Sequence, residues 1–134
     1  MARVLVIEDE PGIAMVLRIA LGDEGHEVTT ASDGMAGLKM LSRAPHPEVV
    51  FVDLNMPGLS GRTVVEIMHG TPVLKDIPVI ILSGYIPDTP CFPPKGTYNA
   101  LIAKPFDLSD VIEITNYLAA KGRHSNLFNS AAAG

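Results

Sequence analysis

The sequence predicts an α/β domain: a parallel sheet sandwiched between two layers of helices. Three observations carry this. Segments with strand and helix character alternate along the chain. Several of the strand segments are short and almost wholly apolar, as in strands buried on both faces. And 134 residues suit a single domain with its own core. Parallel neighbours need long crossovers, which the intervening helices supply.

Arg3–Ile7 is a β-branched run ending in three acids, Glu8, Asp9 and Glu10. Pro11 suits a first helical turn, the helix runs over Ile13–Leu21, and Gly22–Gly25 stops it. Glu27–Thr30 is a weak second strand. Met35–Ala44 is helical, with Pro45 and Pro47 bracketing its exit. Glu48–Asp53 is a third strand, and Leu54–Gly61 has turn chemistry around Met-Pro-Gly. Arg62–His69 reads as a helix, Pro78–Leu82 as a strand and Asn99–Ala103 as a fifth strand. Leu108–Lys121 is the last helix, with Asp107 as N-cap. Between strands four and five, Gly84–Gly96 carries Pro87, Pro90, Pro93 and Pro94, which argues against a regular helix there.

Composition narrows the function. The net charge is −5, and no basic run exceeds two residues, against a nucleic-acid or anionic-lipid footprint. One cysteine, Cys91, leaves no internal disulfide and no multi-cysteine zinc site. No apolar run reaches the roughly 18 residues of a membrane span. The apolar stretch at the start is four residues and ends in acid, unlike a secretory leader. The expectation is a cytoplasmic domain without nucleic-acid or membrane partners.

In parallel sheets ligands bind at the carboxyl ends of the strands. There the sequence places Glu8 and Asp9, Asp53, Ser83, and Lys104 followed by Pro105. Three clustered carboxylates favour a hard divalent cation such as Mg²⁺. Asp53 is placed to attack a phosphoryl group as a carboxylate nucleophile. Lys104 and the cation would neutralise charge, and Ser83 would donate a hydrogen bond to a phosphoryl oxygen. The plain alternatives are a solvated helix start, a turn aspartate, a loop serine and a surface lysine, but four such coincidences at four strand ends are improbable together.

Val4-Leu5-Val6-Ile7-Glu8-Asp9-Glu10, Val52-Asp53-Leu54-Asn55-Met56-Pro57-Gly58-Leu59-Ser60-Gly61, Ile81-Leu82-Ser83-Gly84 and Ala103-Lys104-Pro105-Phe106 together resemble the receiver domain of two-component response regulators. The resemblance covers about residues 2–121 and leaves 122–134 as a C-terminal tail. It implies a doubly wound, five-stranded, flavodoxin-like (CheY-like) fold with strand order 2-1-3-4-5. It implies that Asp53 is the phosphoacceptor, loaded from the phosphohistidine of a sensor histidine kinase or histidine phosphotransfer protein. Glu8, Asp9, Asp53 and the carbonyl of Asn55 would hold Mg²⁺, Ser83 would be the switch hydroxyl, and Lys104 would meet the phosphoryl group before a cis peptide to Pro105. Such a domain is not an enzyme beyond catalysing its own phosphotransfer and dephosphorylation. The other readings are a degenerate receiver that binds partners without phosphorylation, and a phosphohydrolase of the haloacid dehalogenase type. Against the latter, Asn55 stands where that family wants a second aspartate.

Two departures from the family pattern stand out. Ile102 occupies the position assigned to the switch aromatic, and the proline block replaces the fourth helix. Phosphorylation is therefore expected to be read as a change in residues 84–98, a segment with little to hold it; the rival is a phosphate sink or shuttle. Tyr85, two residues after Ser83, is expected to obstruct water at the acyl phosphate. In the first helix Ile13, Val16, Leu17 and Ala20 form the expected core face. Ala14, Met15 and Ile19, with Pro105, form the expected docking face for the phosphohistidine donor, with a homodimer through that helix as the alternative. His26, His46, His69 and His124 lack ligand spacing and are expected at the surface.

Overall fold

The computed structural model describes residues 1–84, 90–121 and 128–129. In chain order the elements are β1 (Arg3–Ile7), α1 (Pro11–Asp23), β2 (Glu27–Ala31), α2 (Gly34–Leu41), β3 (Val49–Asp53), α3 (Gly61–His69), β4 (Val79–Ser83), β5 (Ala100–Ala103), α4 (Leu108–Lys121) and β6 (Phe128–Asn129). The sheet runs β2-β1-β3-β4-β5-β6, and every neighbouring pair is parallel. The five expected strands thus stand in the expected order. The two-residue β6, in the stretch expected to be a tail, is added beside β5.

Side chains alternate between two cores, as the period of a strand requires. On one face Leu5, Ile7, Val50, Val52, Ile81 and Leu101 pack beneath α2 and α3. On the other, Val6, Phe51, Ile80, Leu82 and Ile102 pack against α1 and α4. The strands were legible as apolar runs because both faces are covered. Two glycines are required by close approach. A Cβ on Gly37 would lie 2.4 Å from Ile7 Cδ1, and one on Gly61 only 2.2 Å from the Asp53 carbonyl oxygen. Gly61 lets the first turn of α3 sit directly on the end of β3.

Several boundaries and faces differ from expectation. Helix α2 ends at Leu41 rather than Ala44. The Ser42 hydroxyl donates to the Lys39 carbonyl at 2.7 Å, and Pro45 disfavours a helical Ala44. Val16 is 43% exposed, not core; the buried line of α1 is Leu17 and Leu21, with Ile13 packed beside them. His26 is buried rather than at the surface: its Nδ1 accepts from the Ala2 main-chain N–H at 3.0 Å, and Nε2 lies 2.7 Å from Asn116 Oδ1. His46 is half-buried, His69 is exposed, and His124 lies outside the described residues.

Among the described residues between β4 and β5 there is no helix. Of the segment 84–98, residues 85–89 lie outside the described residues, while residues 90–98 and the adjoining Asn99 make specific side-chain and main-chain contacts. Phe92 and Tyr98 are buried in the α3-side core, with ring centroids 6.3 Å apart in an edge-to-face contact. Arg62 of α3 donates to the Pro90 carbonyl. Asn99 bridges to Val79 through both its main-chain N–H (2.8 Å) and its side-chain oxygen (3.1 Å). Among the described residues of this segment, an aromatic pair covers the sheet where no helix stands.

Candidate functional site

The parallel register brings the ends of β1, β3, β4 and β5 to one edge of the sheet. Ile7 pairs with Val52, Asp53 with Leu82, and Ser83 with Ala103. Glu8, Asp53 and Ser83 are each 1% exposed. Asp53 Oδ1 accepts the Asn55 main-chain N–H at 3.0 Å, so the turn after β3 fixes the carboxylate. Glu8 Oε2 accepts the Glu10 N–H at 3.1 Å. The Lys104 ammonium lies 3.0 Å from Glu8 Oε1, 3.3 Å from Asp53 Oδ2 and 3.9 Å from Glu10 Oε1.

Such crowding shifts protonation. The Glu8 carboxyl is pushed up to about 7, first by burial and then by a hydrogen bond shared with Asp53; the Glu10 N–H and Lys104 oppose this only in part. For Lys104, burial alone would lower the ammonium. Its hydrogen bond to Glu8 and the negative charges of Asp53 and Glu8 outweigh that and hold it above its ordinary value.

One ligand atom each from Glu8, Asp9 and Asp53 falls within a 4.8 Å cluster. Asp9 Oδ1 is buried without a hydrogen-bond partner, whereas Glu8 Oε1 is paired with the Lys104 ammonium. A buried carboxylate oxygen left unpaired, as on Asp9, is costly unless a cation compensates it. An all-oxygen donor set of this size therefore fits Mg²⁺.

Asn55 is exposed, and its main chain contributes the contact to Asp53. The carbonyl of Ser83 accepts from the Lys104 N–H at 2.9 Å, which ties the serine to the lysine through the β4–β5 ladder. Ile102 does not stand where a switch partner of Ser83 should. It is 1% exposed in the α1/α4 core, whereas strand alternation puts Ser83 on the opposite face, with Ile81 and Leu101. The residue of β5 that shares that face and packs with Phe92 and Tyr98 is Leu101, which sequence reasoning missed by one position. Tyr85 lies outside the described residues. The Lys104–Pro105 peptide is cis, and Pro105 is exposed.

On α1, Met15 and Ile19 are 54% and 55% exposed, and Val16 joins them. Ala14 is half-buried and, with Met15 and Arg18, lines a cleft of about 300 Å³ that begins at Glu8 and Asp9 and is bounded by Thr30–Ser32. The reach of Glu10 to Lys104 was also missed, although the acid triplet in the sequence contained the signal.

The family model described as the response regulator receiver domain matches residues 4–116. Over 83 residues the chain is 42% identical to the transcriptional regulatory protein KdpE of Mycobacterium tuberculosis, covering 62% of this chain and 35% of KdpE. Over 138 residues it is 30% identical to the DNA-binding regulator RpaA of Synechocystis, covering 96% of this chain and 56% of RpaA. The chain therefore spans about a third to a half of the length of these relatives. Among solved structures it resembles the Thermotoga maritima response regulator TrrA in complex with Mg²⁺ and BeF, with TM-score 0.76 and 29% identity over 88% of this chain and 99% of that one. It also resembles Vibrio cholerae CheY4, with TM-score 0.79 and 26% identity over 87% and 98%. Fold, rim chemistry and likeness agree, and the chain belongs to the receiver domain family of two-component response regulators.

Proposed function

We propose that this chain is the phosphoacceptor of a two-component phosphorelay, taking a phosphoryl group from phosphohistidine onto Asp53. The observation that carries this is the setting of Asp53: a buried carboxylate with one oxygen held by the Asn55 N–H and the other facing Lys104, beside the unpaired oxygen of Asp9. An Asp53 oxygen forms the new bond to phosphorus as the bond from phosphorus to the imidazole nitrogen breaks. The electron pair leaves on the imidazole, which takes up a proton, and the product is an acyl phosphate. Lys104 is within reach of the incoming phosphoryl oxygens once it turns from Glu8, and Ser83 supplies a hydroxyl at the adjacent strand end. Glu8, Asp9, Asp53 and the Asn55 carbonyl would hold Mg²⁺, which neutralises charge on the phosphoryl oxygens when bound. The chain turns over no external substrate; it catalyses its own phosphotransfer and dephosphorylation.

The donor is a sensor histidine kinase or histidine phosphotransfer protein, docked on Met15 and Ile19 beside Ala14 and Pro105. The exposed apolar ridge next to the Asp9 cleft supports this. The decisive measurement is intact mass after incubation with Mg²⁺ and a small acyl phosphate. One phosphoryl group should appear, be lost slowly, and be absent from Asp53→Asn. Continuous turnover would mark a phosphohydrolase, and no labelling would mark a degenerate receiver. Met15→Lys with Ile19→Glu should slow transfer from the protein donor while sparing labelling by the small one.

A further inference from the structure

Three carboxylates share the Lys104 ammonium, and they are not equivalent. Glu8 and Asp53 are buried, whereas the Glu10 side chain is 64% exposed at the mouth of the site, 3.9 Å from the ammonium. Glu10 precedes Pro11 at the N-cap of α1, yet its side chain makes no capping hydrogen bond. Its main-chain N–H already serves Glu8 Oε2. The Glu10 carboxylate thus makes no hydrogen bond to the helix, where its exposed charge gains only the small, screened attraction of a helix N-terminus, and Lys104 is the cation it faces.

We infer that Glu10 is a positioning and selectivity residue: it draws Lys104 toward the entrance and sets a negative charge there, so that donors are discriminated by charge. The inference rests on Asp53 being the phosphoacceptor. A donor must bring its phosphoryl oxygens past Glu10 and take Lys104 over from it. The repulsion scales with the charge the donor carries, while the attraction of Lys104 is partly spent on Glu10. A dianionic acyl phosphate is therefore held back more than a donor of lower net charge, which limits loading by small anionic metabolites. Glu10 is not a ligand to the cation in this reading, because its carboxylate stands outside the Glu8–Asp9–Asp53 cluster.

Replacing Glu10 removes the carboxylate but keeps the main-chain donation to Glu8, so the site is otherwise preserved. The test compares wild type, Glu10→Gln and Glu10→Asp with two donors at pH 7: acetyl phosphate, a dianion, and phosphoramidate, chiefly a monoanion. Glu10→Gln should speed labelling by acetyl phosphate about fourfold and by phosphoramidate about twofold, both gains shrinking in 0.5 M KCl. Glu10→Asp should keep the wild-type ratio between donors. Mg²⁺ affinity by isothermal titration calorimetry should change by no more than about twofold in Glu10→Gln, as expected for one screened charge. An unchanged donor ratio, or one indifferent to salt, would overturn the inference, and a tenfold loss of Mg²⁺ affinity would show Glu10 to be a ligand instead. A wild-type chain labelled by neither donor would overturn the phosphoacceptor reading and this inference with it.

Discussion

Glu8 shows how a buried acid ties stability to function. Its folded carboxyl binds a proton more tightly than the same group in the unfolded chain, with a pKa of about 7 against an ordinary 4.5. The folded state therefore holds the extra proton between those values, and the stability of the metal-free protein should fall as pH rises through that window and level off above about 7. The loss is about 3 kcal/mol at most, since one pKa unit is worth about 1.4 kcal/mol. Urea denaturation of the metal-free chain from pH 4.5 to 8 checks this, and Glu8→Gln should flatten the slope; an identical slope in that variant would refute the assignment. His26 gives a second prediction at this scale. The Ala2 N–H can only donate, so Nδ1 must accept and the ring hydrogen sits on Nε2, facing Asn116 Oδ1. His26→Ala would strand a buried main-chain N–H and should cost about 1–3 kcal/mol in the same denaturation experiment.

The described residues between β4 and β5 contain no helix, yet they do not leave the sheet bare. Phe92 and Tyr98 supply the apolar cover that a helix face would give, and Arg62 ties the Pro90 carbonyl to α3. Phe92→Ala should cost about 3 kcal/mol, near the lower end for a core phenylalanine because Phe92 keeps 6% exposure. Arg62→Ala should cost about 1 kcal/mol, the scale of one hydrogen bond. If these side chains anchor the segment, both variants should also raise hydrogen exchange in residues 90–98 well before global unfolding. Exchange there that matches wild type would mean that backbone bonds such as Asn99 to Val79 hold the segment alone.

Across the whole molecule, the two cores divide the routes a signal can take. Ser83 shares its sheet face with Leu101, and through Leu101 with Phe92 and Tyr98, while Ile102 faces α1 and α4. A beryllofluoride mimic of the acyl phosphate should therefore change hydrogen-exchange protection at Gly84 and residues 90–98, and leave the buried turn of α4 around Ile114 unchanged. Changes confined to Asp9, Asp53 and Lys104 would favour a phosphate sink. Changes in α4 without any in 90–98 would show that the signal crosses the sheet.

Much of this was legible in the residues themselves. Apolar strands covered on both faces are local runs, so β1, β3, β4 and β5 and their charged or polar ends could be read directly, and with them Glu8, Asp9, Asp53, Ser83 and Lys104. A helix boundary was read less well, because the end of α2 depends on how Ser42 and Pro45 compete for the last turn. Tertiary structure decided what no local pattern encodes. It decided which face of β5 meets Ser83, since a shift of one residue exchanges Leu101 for Ile102. It buried His26, because the Ala2 N–H and Asn116 come from distant parts of the chain. It gave the proline segment its anchorage, because Arg62 and Phe92 meet their partners only once α3 is packed. The sequence by itself determined which groups stand at the ends of the strands; their mutual distances, and so their protonation and charge balance, were set only when parallel pairing brought four strand ends to one edge.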